Sequence, residues 1–135
     1  MAYWLAKSEP NVWSWENHVK KGVECWHSVR NYQASNNMKA MKLGDQAFFY
    51  HSNIGREIVG IMEVVKLYYP DHTDETGRFG MVDFKAIKSL KTPVTLAQIK
   101  AHPKLQNMAL VRQSRLSVSP VTADEWAILC KLGGL

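Results

Sequence analysis

The sequence predicts an α+β fold, a small twisted β-barrel with short peripheral helices. Three observations lead there. Apolar runs of strand character fill the middle of the chain, from Gln46 to Leu90. The helical segments are short, lie mostly to either side of that centre, and carry their own start and stop residues. No repeat, low-complexity tract or linker interrupts the 135 residues, so one domain spanning 1–135 is expected. A chain of that length buries roughly two-thirds of its unfolded surface and supports one real core. Strands clustered centrally with helices outside read as α+β rather than as alternating βαβ units.

Taken in order, residues 3–7 are aromatic and apolar and form a first strand, with Trp4 in the core, ended by Glu9-Pro10. Ser14 to Lys21 is a short helix with Ser14 as its cap and Gly22 as its stop. A second helix runs from Tyr32 to Leu43, capped by Asn31, with Ala34, Met38 and Met41 on one face and Gly44 past its end. Asn36 and Asn37 are poor helix formers, so packing must hold it. Gln46 to Ser52 and Glu57 to Leu67 are strands joined by the turn-forming Asn53-Ile54-Gly55-Arg56. The longer one is apolar on both faces, Ile58, Met62 and Val64 against Val59, Ile61, Val65 and Leu67, as suits a central strand. Residues 70–78 are a polar loop, and Met81 to Leu90 alternates as a further strand. Thr95 with Gln98 and Thr122 with Glu125 are capping boxes opening two more helices. Val94 with Ile99 and Val121 with Trp126 staple them, and Gly133 closes the last.

Composition excludes several classes. Hydrophobic residues are 46% and charged residues 21% of the chain, which argues against disorder, collagen-like repeats and coiled coil. No stretch approaches the ~18 apolar residues of a membrane helix, and the first residues lack the basic and apolar pattern of a signal peptide. Cys25 and Cys130 are far apart and form no CxxC pair. A reduced intracellular protein is expected, cytoplasmic, or nuclear in a eukaryote.

The net charge is +5 and the pI near 9.3. Its distribution says more than its size. Phe84 to Ala123 contains no acid but carries Lys85, Lys88, Lys91, Lys100, Lys104, Arg112 and Arg115. Cys25 to Gly44 is also acid-free and carries Arg30, Lys39 and Lys42. Such segments suit a phosphate-facing surface, where a carboxylate would repel the backbone of a nucleic acid. On charge alone, scattered solubilising lysines explain them equally well.

Catalytic signatures are missing. The five histidines (18, 27, 51, 72 and 102) never fall at i, i+4, and there is no HExxH, GxSxG, Walker or GxGxxG motif. No metal site and no cofactor are expected. Cys25 and His27 are two apart and could pair as thiolate and imidazole; a buried structural cysteine is the stronger reading. His51-Ser52 at a strand end reads as hydrogen-bonding groups rather than base and nucleophile.

The densest polar–aromatic segment is Cys25 to Asn37, with Trp26, His27, Ser28, Arg30, Asn31, Tyr32 and Gln33 leading into a helix. Amide side chains both donate and accept, as base-edge reading requires, and aromatic faces stack on bases. Trp26, flanked by polar residues, reads as a pocket wall; Asn31 and Tyr32 stand equally well as a helix cap and a core aromatic. A second cluster holds Arg112, Gln113, Ser114 and Arg115, which suit phosphate or base contact as well as bonds to neighbouring carbonyls.

Tyr3-Trp-Leu-Ala-Lys-Ser-Glu-Pro10, Trp26-His-Ser-Val-Arg-Asn-Tyr-Gln-Ala-Ser-Asn-Asn-Met38 and Lys42-Leu-Gly-Asp-Gln-Ala-Phe-Phe-Tyr-His-Ser52 carry a family resemblance. Val59-Gly-Ile61, Glu63-Val64, Met81-Val-Asp83 and Arg115-Leu-Ser-Val-Ser-Pro-Val121 extend it over essentially the whole chain. Together they resemble the EVE domain, a PUA-like family related to YTH domains and similar to the thymocyte nuclear proteins. The resemblance implies a PUA-like, largely closed barrel that binds a modified base, chiefly modified cytosine in DNA, or modified RNA. It implies that Trp26 is one wall of an aromatic cage and Phe79, where relatives often carry Trp, the other. It places Lys7, Ser8, Asn31, Tyr32 and Gln33 around the pocket and His51 and Ser52 at its mouth.

The expectation is therefore a non-enzymatic nucleic-acid reader. Its base pocket comprises Trp26, Phe79, His27, Ser28, Asn31, Tyr32, Gln33, Lys7, Ser8, His51 and Ser52, and its phosphate contacts Arg30, Lys39, Arg112 and Arg115. A nucleic-acid-processing enzyme and a small-molecule or protein-interaction module using the same pocket are the alternatives. No membrane partner is expected.

Overall fold

The structure is a computed structural model and describes residues 1–135. It contains six strands, β1 (Tyr3–Ser8), β2 (Val23–Cys25), β3 (Gln46–His51), β4 (Glu57–Pro70), β5 (Gly80–Thr95) and β6 (Val118–Val121). Five helices accompany them, α1 (Trp15–Lys21), α2 (Tyr32–Ala40), α3 (Leu96–Ala101), α4 (Ala109–Arg112) and α5 (Ala123–Leu132). The α+β class is as expected. The strands form one sheet in the order β2-β5-β4-β3-β1-β6, antiparallel except where β1 runs parallel to β3. β2 and β6 are edges that do not pair with each other, so strand pairing alone leaves the barrel open. α2 packs against β6 and against β4 and β5, and so lies across that opening.

The sheet is covered on both faces. One face buries Trp4, Trp15, Trp26, Met38, Phe49, Met62 and Phe84, with α1 and α2 over them. The other buries Leu5, Phe48, Ile61, Leu105, Met108, Trp126 and Leu129 beneath the C-terminal helices. There Trp126 stacks between Phe48 and Tyr3, with ring centroids 3.9 and 4.5 Å away. No helix is long and apolar enough to cross a membrane.

β4 is central, but its faces differ from simple alternation. Ile58 packs with Ile61 on one side, and Val59 packs with Met62 and Val64 on the other. A register shift between Ile58 and Gly60 supplies the reason: one extra residue there restarts the alternation out of phase. Val65 and Leu67, expected in the core, are exposed.

Helix starts follow the local chemistry. Thr95 with Gln98 and Thr122 with Glu125 form the two expected capping boxes. Ser14 forms a third, with Asn17 as the reciprocal residue. α2 ends at Ala40, not at Leu43. Met41 turns to extended backbone to reach the core, and the buried Asp45 carboxylate takes the next amide, that of Lys42, at 3.0 Å. Asp45 also accepts from the Trp4 indole N–H at 3.0 Å and from the Ala2 amide, tying the start of β1 to β3. β2, α4 and β6 carry too few residues for periodicity to reveal. β6 tolerates Pro120 because it is an edge strand pairing only with β1.

Gly60 has a specific reason to be glycine. A Cβ built there would lie 2.3 Å from ring atoms of Trp15, so α1 rests directly on the β4 backbone. Gly60→Ala is expected to lower stability by roughly 1–3 kcal/mol through overpacking. Denaturant unfolding measures this; an unchanged midpoint would mean that Trp15 yields without cost.

Candidate nucleic-acid interface

A pocket of about 360 Å³ opens between the end of β1, the start of α1 and the segment that leaves β2. Volumes of ~300–1,000 Å³ are those of small-ligand sites. Its lining is Lys7, Ser8, Val12, Trp13, Glu24, Cys25, Trp26, His27 and Ser28. The chain reaches this arrangement locally. The Trp26 amide donates to the Val82 carbonyl at 2.7 Å, extending the β2–β5 ladder by one residue. Ser28 then takes a positive φ of 68°, turning the backbone away from the sheet.

That turn is held by Asp71. Its carboxylate accepts from the Ser28 amide at 2.7 Å and from the Arg30 guanidinium at 3.1 Å, and from the amide and hydroxyl of Thr73. The residue is only 3% exposed. Burial alone would raise its pKa, but these donors dominate and hold it down at about 2. The loop after β4 is thereby fastened to the pocket segment by one ionised group.

The pocket's aromatic wall is set by His18. This histidine is fully buried and lies between Trp13, Trp15, Trp26 and Phe49. The Trp13 indole N–H donates to His18 Nδ1 at 3.0 Å, and Nε2 lies 2.9 Å from the Phe84 carbonyl oxygen. An indole only donates and a carbonyl only accepts, so the proton sits on Nε2 and the ring is neutral. Burial lowers its pKa accordingly, against the weaker opposing effect of the Phe84 carbonyl. Trp26 meets Phe49 and Phe84 edge to face at 5.5 and 5.4 Å and is 7% exposed. It is thus a core aromatic whose exposed margin lines the pocket.

Of the residues singled out in the sequence, Lys7, Ser8, Trp26, His27 and Ser28 come together here. The others lie elsewhere. Phe79 is not part of the lining; its ring pairs with Tyr32 at 4.9 Å and lies under Arg30 at 5.7 Å. Tyr32 is 62% exposed, neither core nor pocket, and Asn31 caps α2 by accepting from the Ala34 amide. Gln33 follows on the exposed first turn of α2. His51 Nε2 accepts from the Trp15 amide at 3.1 Å, beneath the start of α1, and burial lowers its pKa. Ser52 lines a separate cleft.

Among the expected phosphate contacts, Arg30 is engaged by Asp71 and Thr73. Arg112 donates to the Gln106 carbonyl and the Asn107 side chain, closing its own loop. Lys39 is exposed over the Tyr68 ring, and Arg115 is exposed. The wall residue that sequence reasoning missed is Trp13. Its signal was its place just before the Ser14 cap, where an apolar residue commonly packs against the helix it precedes.

The pocket's nucleophile chemistry is weak. Burial and the neighbouring Glu24 carboxylate push the Cys25 thiol up to about 11, so it is a thiol at neutral pH. His27 Nδ1 instead bonds Ser28 Oγ at 2.6 Å. No group of three or more His, Cys, Asp or Glu side chains is placed to hold a metal ion.

Two acid-dependent losses of stability follow. The Asp71 pKa is depressed, so its stabilisation is present above pH ~4 and is lost as pH falls towards 2. Asp71→Asn is expected to remove about 2 kcal/mol at pH 7 and to flatten that part of the profile. His18 also titrates low, so its contribution is full above pH ~6.5 and declines as pH falls through the lowered pKa. Unfolding midpoints across pH 2–8 test both; a parent profile flat from pH 7 to 5 would refute the neutral His18.

The EVE domain family model matches residues 2–132. Human thymocyte nuclear protein 1 is 35% identical, the alignment covering 97% of this chain and 73% of that protein. A crystal structure of a protein from Agrobacterium tumefaciens is similar at 52% identity, with a TM-score of 0.98 over 100% of this chain and 94% of that one. The human thymocyte nuclear protein in complex with DNA containing 5-methylcytosine is similar at 34% identity, with a TM-score of 0.89 over 100% and 99% of the two chains. With its sequence matched almost end to end and its fold superposing on theirs, the chain belongs to the EVE domain family.

Proposed function

We propose that this protein is a non-enzymatic reader of modified cytosine in DNA and that the pocket walled by Trp13 and Trp26 holds the base. One coincidence carries the reading. A base-sized aromatic pocket lies in a chain that matches, over its whole length, a protein solved with 5-methylcytosine DNA. The rest of the lining supports it. A base inside the duplex cannot reach a pocket of this kind, so the nucleotide must be flipped out, at a few kcal/mol. Tryptophan faces and edges offset that by stacking, worth roughly 1–3 kcal/mol per base. Glu24, Ser8, Ser28 and His27 supply acceptors and donors for its polar edge. Lys39 and Arg115, both exposed, are outer phosphate contacts in this reading. The raised Cys25 pKa favours binding over catalysis.

A 5-methyl group adds one apolar carbon to the buried surface, worth about 0.8 kcal/mol, and fills space that an unmodified base leaves void. An oligonucleotide carrying 5-methylcytosine is expected to bind roughly tenfold tighter than its unmodified twin, about 1.4 kcal/mol. Fluorescence anisotropy with paired strands measures the ratio. Equal affinity for the twins, in DNA and in RNA, would reduce the protein to a general nucleic-acid binder.

Trp13→Ala separates wall from core. Trp13 is half-buried and Trp26 is not, so this variant is expected to stay folded while losing roughly tenfold or more in affinity for the methylated strand. Retained affinity in a folded Trp13→Ala protein would exclude this pocket as the base site.

A further inference from the structure

A second cleft, of about 310 Å³, adjoins the pocket and shares Lys7 with it. Tyr50, Ser52, Asn53 and Arg56 of the β3–β4 connection line one side, and Leu96, Lys100, Leu110 and Ser114 line the other. Three cations converge there, and no Asp or Glu is in the lining. The ion pairs of the protein are Lys21 with Glu24 and Arg30 with Asp71, so Lys7, Arg56 and Lys100 have no counter-ion. Lys7 is half-buried, and its ammonium donates to the Ser114 carbonyl at 2.8 Å. Burial lowers its pKa, the sign of a cation held out of water without a carboxylate to compensate it. Asn53 and Arg56 both take positive φ, 65° and 48°. The connection thus carries Arg56 in the left-handed region, which is uncommon for a residue with a side chain. Glu9, beside the same connection, accepts from the Asn53 side-chain amide, and Glu57, next to Arg56 in the chain, makes no ion pair with it.

We propose that this cleft binds the DNA phosphodiester next to the flipped nucleotide, through Lys7, Arg56 and Lys100. The inference rests on the base-reader reading above for its ligand. Lys7 stands between the two compartments, so a strand whose base enters the first brings its adjacent phosphate to the second. A phosphate contact of this kind weakens binding uniformly across sequences when removed and leaves base preference intact.

Arg56 and Lys100 are exposed and their side chains make no hydrogen bond within the protein, so Arg56→Gln and Lys100→Gln are expected to fold as the parent does. Affinities for the methylated strand and its unmodified twin are measured against salt for the parent, for both variants and for Lys104→Gln, an exposed lysine outside the cleft. The expected result is that each cleft variant weakens both twins by the same factor and reduces the salt slope by about 0.7–0.9, while Lys104→Gln changes neither. Unchanged slopes in both cleft variants, or an equal loss in Lys104→Gln, would overturn the assignment. A methylated-to-unmodified ratio of one in the parent would instead defeat the base-reader reading, and a slope loss confined to the two cleft variants would then still support the phosphate site. A parent that binds neither strand at low salt would end both.

Discussion

The neutral imidazole of His18 is the contact on which the pocket wall depends. One of its nitrogens receives the Trp13 indole proton and the other gives a proton to the Phe84 carbonyl, so one ring links the approach to α1 with the strand behind the pocket. Around it stand Trp15, Trp26 and Phe49. A phenylalanine there would fill the volume but leave the Trp13 indole without its acceptor, at about 1–3 kcal/mol where buried, and take one donor from the Phe84 carbonyl. Protonation would put a second hydrogen on Nδ1, facing the Trp13 N–H. Burial prevents this near neutrality, so the same desolvation that lowers the pKa keeps the wall in register.

The buried carboxylates do for loops what His18 does for rings. Asp45 gathers Ala2, Trp4 and Lys42 around the start of β3, and Asp71 gathers Ser28, Arg30 and Thr73 beside the pocket. Each is ionised and fully supplied with donors, the condition under which a buried charge is tolerated. Removing one donor leaves the charge in place with less support, so these loops are held cooperatively. In so basic a protein, they also decide which arginines are free. Arg30 is drawn inward by Asp71 although it lies in an acid-free stretch of sequence.

That last point marks where sequence legibility ended. The helix starts were readable because a capping box is written within four residues, as at Thr95 and Thr122. The central strands were readable because apolar runs are local too. The long-range pairings were not. Nothing near Arg30 in sequence announces Asp71, forty-one residues on, and nothing near Phe79 says that its ring will pair with Tyr32 rather than face Trp26. The bulge at Gly60 reversed a facial pattern that strict alternation would have fixed, because one inserted residue shifts every later side chain. Five of the eleven expected pocket residues converge because they lie in β1 or just after β2, beside one another across the mouth. The other six lie on elements whose placement depends on tertiary contacts.

The two compartments on either side of Lys7 differ in the physics they offer a ligand. The first is bounded by tryptophan and has a volume set by rigid rings, so its response to a ligand is one of shape and apolar area. The second is bounded by unpaired cations on solvated side chains, so its response is electrostatic and screened by salt. Selectivity for a methyl group can come only from the first, since a screened charge does not sense one carbon. Affinity that falls with salt can come only from cations such as those of the second, since stacking is nearly indifferent to ions. Lys7 belongs to both, and its ammonium donates to the Ser114 carbonyl. In the proposed reading, a phosphate held in the cleft therefore lies beside the mouth of the aromatic pocket, so the second compartment sets how tightly a strand is held and the first which base is preferred.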